Sequence, residues 1–402
     1  MTNESGNSIL SDTRLLFLGQ LLAGLLSLIA TIVTARYCGP TVFAFCMLTV
    51  LVLSVGLDVI DFGACSWSSR ELAAGRISVS KYLHIMHRKS SHNLIYVFVG
   101  PLVYFLFPQS GWAILIVGTY PILWVRTNYI QQFLMVKGQT ASAVRFQIVE
   151  RLTWLLVLPM QYLNFDKSAT YILPVILGLI VHNFLGKRTL IKYSANSSMR
   201  SESIFGLTRK SMHIGLIGVI TDVSNLDTLI VARFASINDS ASYGLSQRFR
   251  GPLMLGFNSF GARLRVIAAS RDTESIRSLF KREISFLIVN YLGLILASFF
   301  LYLIGEDIFG SKFPSINVLL AIGVLTIIPI SIIAVSSNFL VATGFERVAS
   351  RIFMSSVPFT LISVGISSHF QGVFFSLLAL LLANLVTAFI FLFLSMRIWK
   401  KL

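Results

Sequence analysis

From Leu15 to Ala35 the chain runs 21 residues without one charged side chain. A helix of about 20 apolar residues crosses the hydrocarbon core of a bilayer, and this run opens a series. Thr41 to Leu57 follows the turn signal Cys38-Gly39-Pro40. Asn93 to Val125 reads as two spans, turned at Pro108-Gln109-Ser110-Gly111. Leu152 to Phe165 and Ser168 to Gly186 read as the fifth and sixth spans. The seventh runs from His213 to Ala232 and carries Asp222 and Asp227; the eighth runs from Tyr243 to Ala262 and carries Arg248 and Arg250. Ile284 to Gly305 and Pro314 to Phe339 give two more, and Ile352 to Met396 folds back near Ser368-His369-Phe370-Gln371-Gly372. The expected fold class is an all-α integral membrane protein with about 12 transmembrane helices.

Composition agrees. Charged residues are 12% of the chain, against about 25% in soluble domains. Glu4 and Asp12 precede the first run where a signal peptide would carry positive charge, so that run is expected to stay as a span. The net charge of +16 would suit a nucleic-acid ligand in a soluble protein, but here the lysines and arginines follow topology. With the first residues placed in the cytoplasm, 27 of the 33 basic residues fall on the inner side. Arg36, Lys167, Arg233 and Lys312 fall outside, and Arg248 and Arg250 lie within a span. No nucleic-acid partner is needed. A multi-pass inner-membrane protein is expected, with both termini cytoplasmic and the lipid bilayer as its partner.

The chain repeats itself across its midpoint. Ala35-Arg36-Tyr37 ends the first span and Ala232-Arg233-Phe234 the seventh. Phe133-Leu134-Met135-Val136-Lys137-Gly138 follows the fourth, and Phe339-Leu340-Val341-Ala342-Thr343-Gly344 follows the tenth. Two pseudo-symmetric six-helix lobes around a central cavity are expected, residues 1–205 with a cytoplasmic linker and residues 206–402. Parallel repeats of this kind occur in secondary transporters.

Ionisable groups inside a span are expensive and usually face protein or a watery cavity. If span seven is one straight helix, Asp222 and Asp227 flank a polar arc of Thr221, Ser224, Asn225 and Thr228. Either carboxylate is then a candidate site for a coupling H+ or Na+; the plainer reading is an ion pair with Arg248 or Arg250. Those two arginines point about 200° apart on a straight helix. Arg248 is expected in the cavity, and Arg250 against a neighbouring helix or snorkelling outward. Gln20, Gly24, Ser27, Thr31 and Thr34 form a narrow stripe on span one, and Ser356, Thr360, Ser363 and Ser367 another on span eleven. These read as close packing through small residues or as cavity lining. Cys38, Cys46 and Cys65 have no metal-site spacing, and His84, His87 and His92 read as loop residues. No P-loop, zinc motif or Ser/His/Asp set is visible, so no cofactor, metal or catalytic residue is expected.

Several short motifs resemble the polysaccharide flippases of the Wzx type, within the multidrug/oligosaccharidyl-lipid/polysaccharide exporter superfamily. Arg36-Tyr37-Cys38-Gly39-Pro40 with Phe43 resembles their turn after span one. Asp61-Phe62-Gly63 followed by Arg70-Glu71-Leu72-Ala73 resembles their span-two signature. Lys137-Gly138, Glu150-Arg151, Asp227, Tyr243-Gly244, and Arg248 with Pro252 are similar to later parts of the pattern, while Thr41, Ala44 and Arg263 depart from it. The resemblance implies a flippase for an undecaprenyl-diphosphate-linked oligosaccharide, such as an O-antigen repeat unit, and contact with other polysaccharide assembly proteins. It places Arg248 at the substrate; Arg36 and Arg233 at the outer mouths, with Gln20 and Asn225 on the polar faces of spans one and seven, are the further cavity candidates, and Asp222 and Asp227 remain those for the coupling ion. A drug or metabolite exporter of the same architecture is the alternative. A membrane-embedded enzyme would need a sizeable catalytic loop, which the short outer loops do not offer.

The orientation is directly testable. Green fluorescent protein fused after Leu402 is expected to fluoresce, and alkaline phosphatase inserted after Ser236 to be active. The opposite pattern would invert the topology.

Overall fold

The computed structural model describes residues 4–106, 111–191, 193, 204–251, 253–254, 257, 260–261, 264, 273–310, 312–313 and 315–399. Apart from short turns the described residues are helical, with no strand among them. The chain divides into two compact units, Met1–Val223 and Ser224–Leu402, and the segment from residue 206 to 223 clusters with the first.

The first unit opens with α1 (Glu4–Asp61), which is two helices joined at Gly39. A 44-residue apolar stretch would be about twice as long as a bilayer core is thick. Gly39 breaks it with φ 74°, ψ 171°, and Pro40 fits the first position of the helix that follows because its missing N–H is not needed there. The turn is tied down from afar: the Tyr37 hydroxyl donates to the Phe165 carbonyl at 2.7 Å, and the Cys38 thiol to the Lys167 carbonyl at 3.1 Å. Then come α2 (Ala64–Ala73), α3 (Val79–His92), a tight 3₁₀ segment (Asn93–Phe98) and α4 (Val99–Leu106). A second 3₁₀ segment (Trp112–Thr119) leads into α5 (Tyr120–Val136). The turn expected at residues 108–111 lies, except for Gly111, outside the described residues. α6 (Thr140–Trp154), α7 (Val157–Tyr162), α8 (Lys167–Ile191) and α9 (Ile204–Ser224) complete the unit. The break between α6 and α7 at Leu155–Leu156 lies four residues before Pro159, which cannot donate to the Leu155 carbonyl.

The second unit contains α10 (Asp227–Phe234), α11 (Ile237–Arg248), α12 (Thr273–Phe309), α13 (Ile316–Leu325), α14 (Ile327–Ala342), α15 (Glu346–Gln371) and α16 (Val373–Trp399). Six helical stretches among the described residues are long and apolar enough to cross a membrane. One of them is the double-length α1, and another joins α13 and α14, which part at Thr326. Here Pro329 leaves the Leu325 carbonyl without its helical donor. Large apolar side chains such as Val289 (66% exposed) and Phe300 (57%) point outward, as lipid-facing residues do. The chain is a multi-pass membrane protein.

One part of the sequence reading is corrected. Span seven is not one straight helix: it is α9 and α10, parted at Asn225–Leu226 with no proline nearby. The polar arc computed across that break therefore does not exist as a single face.

The Asp61-Phe62-Gly63 corner between α1 and α2 receives α9. Phe62 (φ 46°) and Gly63 (φ 70°) are both left-handed, and Ser211 donates to the Phe62 carbonyl at 2.8 Å. A Cβ on Gly63 would lie 2.5 Å from the backbone nitrogen of Gly215, which cannot swing aside. Gly75 has a similar φ of 69° but open space around it. Gly75→Ala is therefore expected to cost about 1 kcal/mol and Gly63→Ala clearly more, towards about 3 kcal/mol. Thermal unfolding in detergent, followed by tryptophan fluorescence, compares the two.

Candidate functional site

A carboxylate sits at the break in span seven. Asp227 is the first residue of α10 and is 1% exposed. Its Oδ1 accepts the Thr228 backbone N–H at 2.6 Å and the Thr228 hydroxyl at 3.2 Å. In an unbroken helix the Thr228 N–H would serve the Ser224 carbonyl. A side chain that captures it ends one helix and starts the next, and the negative charge then sits at the positive end of the α10 dipole.

The other carboxylate oxygen, Oδ2, accepts the Tyr243 hydroxyl at 2.7 Å. Tyr243 is fully buried on α11 and packs with Val231, Leu319, Val364, Leu377 and Leu380. The Arg250 guanidinium acts electrostatically on the Asp227 carboxylate. Its Nε donates to the Thr326 hydroxyl at 3.2 Å, at the break between α13 and α14. One Arg250 terminal nitrogen and both amide atoms of Gln247 are buried with no hydrogen-bond partner among the described residues. The centre thus joins a carboxylate, a phenol and a guanidinium at the ends of broken helices. There a proton can be held or released and an anionic group met by a charged donor.

The first unit builds a matching set at its corner. Asp61 Oδ2 accepts the Cys65 N–H at 3.1 Å, and Oδ1 accepts the Tyr129 hydroxyl at 3.0 Å. Lys89 donates to the Ile60 carbonyl at 2.7 Å, closing the end of α1. The sequence reading counted Lys89 as an inner-loop charge, yet it is buried. Burial lowers its pKa below the ordinary lysine value, and the Asp61 charge opposes that fall.

The remaining expected residues are dispersed. Gln20 is half-buried and Arg36 exposed on α1. Asn225 is exposed at the span-seven break, Arg233 is exposed in the last turn of α10, and Arg248 is half-buried at the end of α11. Asp222 lies on α9, and its side chain is outside the described residues. Arg248 and Arg250 do not share one straight helix, because a turn at Phe249 separates them. The polar stripes serve their own helices: Thr31 donates to the Ser27 carbonyl, Thr34 to Ala30, Thr360 to Ser356 and Ser363 to Phe359. Thr326 was not singled out from sequence, although the proline at 329 could have marked the break. Tyr243 entered only through the Tyr243-Gly244 motif, and nothing in the spacing signalled its phenol as a partner of Asp227.

Asp227→Ala leaves the buried Tyr243 hydroxyl and the Thr228 N–H without their acceptor and the half-buried Arg250 without its counter-charge, and is expected to destabilise the protein by about 2 kcal/mol or more. Asp227→Ala combined with Arg250→Met is expected to regain part of that loss. Unfolding midpoints of the two variants decide it.

No family model and no curated protein matches the sequence. Solved structures do match. A crystal structure of MATE in complex with MaL6 has a TM-score of 0.72 at 14% identity, covering 97% of each chain. An outward-facing multidrug resistance MATE family transporter of the MOP superfamily has 0.72 at 14%, covering 97% of this chain and 96% of its own. A MATE transporter of Vibrio cholerae has 0.64 at 15%, covering 98% and 99%. At such identities the likeness is one of fold, and the chain has the all-helical membrane fold of the MATE transporters.

Proposed function

We propose that the chain is a membrane exporter that works by alternating access and is driven by H+ or Na+ taken up at Asp227. One observation carries the reading: a nearly inaccessible carboxylate sits at a helix break inside the spans, in a chain with a transporter fold over 97% of its length. An ionised group in that setting costs several kcal/mol unless it is partnered. Neutralising Asp227 would leave Arg250 as the uncompensated charge. The ion would thereby shift the balance between conformations, as coupling requires. The cargo of the simplest version is an organic cation or other amphipathic solute.

A second reading keeps the fold and changes the cargo to a lipid-linked glycan, an undecaprenyl-diphosphate-linked oligosaccharide flipped across an inner membrane. Its support is the Arg36–Pro40 turn, the Asp61-Phe62-Gly63 corner, and the partly unpartnered Arg250 guanidinium, whose planar fork suits a diphosphate. Arg248, Arg36, Arg233, Gln20 and Asn225 would then touch the headgroup, and other polysaccharide assembly proteins would supply and receive it.

Proteoliposomes with an imposed ion gradient separate the two. The exporter is expected to move ethidium against its gradient, with the gradient-driven part lost in Asp227→Asn and retained in Arg248→Ala. If ethidium is not moved, while a strain lacking the gene accumulates complete lipid-linked repeat units in the cytoplasmic leaflet, the second reading replaces the first. In that case Arg248→Ala is expected to fail to relieve the accumulation.

A further inference from the structure

The outward side of α6 and α8 carries basic residues that the protein does not neutralise. The two helices pack antiparallel, and three contacts fix their register. A Cβ on Gly178 would lie 2.5 Å from Thr153 Oγ1. One turn further along α8, His182 Nδ1 lies 2.8 Å from Glu150 Oε2. Just beyond the ends of the pair, the Gln139 amide nitrogen donates to the Tyr193 hydroxyl at 2.7 Å. As the chain advances from Gly178 to Tyr193, its partner retreats from Thr153 to Gln139, so Arg145 is level with Lys187 and Arg188.

Helical phase puts these charges beside hydrocarbon-facing residues. α6 meets α1 through Val144, which lies against Gly19, and meets α8 through Glu150 and Thr153. Arg145, Val149 and Leu152 fall between those contacts, and all three are exposed. α8 turns Gly178 and His182 to α6, and Asn183 and Gly186 to α5. That leaves Leu177, Ile180, Phe184 and Arg188 outward, and all four are exposed. The two outward faces flank one groove, cationic at the Gln139–Tyr193 end and apolar along its length.

Other arginines of this unit are answered from within: Arg70 and Arg76 by Glu71, and Arg151 by Glu150. Arg145, Lys187 and Arg188 enter no ion pair among the described residues. Arg188 is nevertheless held in place, its Cζ 4.5 Å from the Phe184 ring centroid. A side chain already restrained by a cation–π contact loses less freedom when it binds, and its planar fork suits a phosphate.

We propose that an anionic phospholipid binds in the groove between α6 and α8. Its phosphate meets Arg145 and Arg188, with Lys187 beside them, and its acyl chains lie along the apolar faces. Charge at one end and hydrocarbon along the rest match such a molecule; a protein partner would have to present acidic groups and a lipid-like surface together. Lysine and arginine topology places this end on the inner side of the membrane, where basic pockets between helices hold anionic headgroups. The site needs neither the proposed cargo nor Asp227.

The full-length protein, stripped of lipid in a neutral detergent, is titrated with dioleoylphosphatidylglycerol or dioleoylphosphatidylcholine, and native mass spectrometry counts the bound lipids. The first phosphatidylglycerol is expected to bind about tenfold or more tightly than the first phosphatidylcholine. Arg145→Gln with Lys187→Gln and Arg188→Gln is expected to abolish that preference. Arg347→Gln with Arg351→Gln and Arg397→Gln removes the same charge from exposed positions of the second unit and is expected to keep it. Equal binding of both lipids by the unaltered protein, a preference that survives the first triple variant, or an equal loss in the second overturns the proposal. If the first triple variant does not fold, Arg145→Gln and Arg188→Gln taken singly are each expected to weaken the preference about threefold or more. An undiminished preference in both single variants overturns the proposal as well.

Discussion

Hydrocarbon offers no hydrogen-bond partner, so every polar group in the spans must be answered by the chain itself. The two buried aspartates show how far that requirement shapes the fold. Asp61 and Asp227 each accept a backbone N–H at the start of a helix and a tyrosine hydroxyl from another helix. Each also lies within the field of a cation, the buried Lys89 or the half-buried Arg250. The breaks and corners of both units sit where these carboxylates need their donors. The serines and threonines obey the same rule locally, returning their hydroxyls to carbonyls one turn back.

The two units therefore share a chemical device more than a sequence. The tyrosine lies 68 residues after the aspartate in the first unit and 16 after it in the second. The cation of the first unit closes a helix end through the Ile60 carbonyl, while that of the second reaches a hydroxyl at a proline-induced break. Only the need is common: a carboxylate held in a medium that cannot solvate it.

Much of the architecture was legible in the sequence because bilayer thickness converts directly into run length. Charge-free runs located the six long apolar stretches found among the described residues, and Gly39-Pro40 marked the turn inside α1. Leu152 to Phe165 and Pro314 to Phe339 read as unbroken spans, whereas Pro159 and Pro329 open a break in each. The span-seven break was invisible because a periodicity argument presumes the straight helix it is meant to test, and a side chain that steals a backbone N–H leaves no compositional mark. Lys89 misled because a lysine near a span end is usually solvated, whereas this one is buried against a helix terminus.

A helix interrupted by proline is interrupted for good, because no change of conditions restores the missing N–H. The interruption between α9 and α10 is of another kind. There the Thr228 N–H survives and is held by the Asp227 carboxylate instead of a backbone carbonyl. One kind of interruption removes a donor from the chain; the other keeps the donor and gives it a charged acceptor.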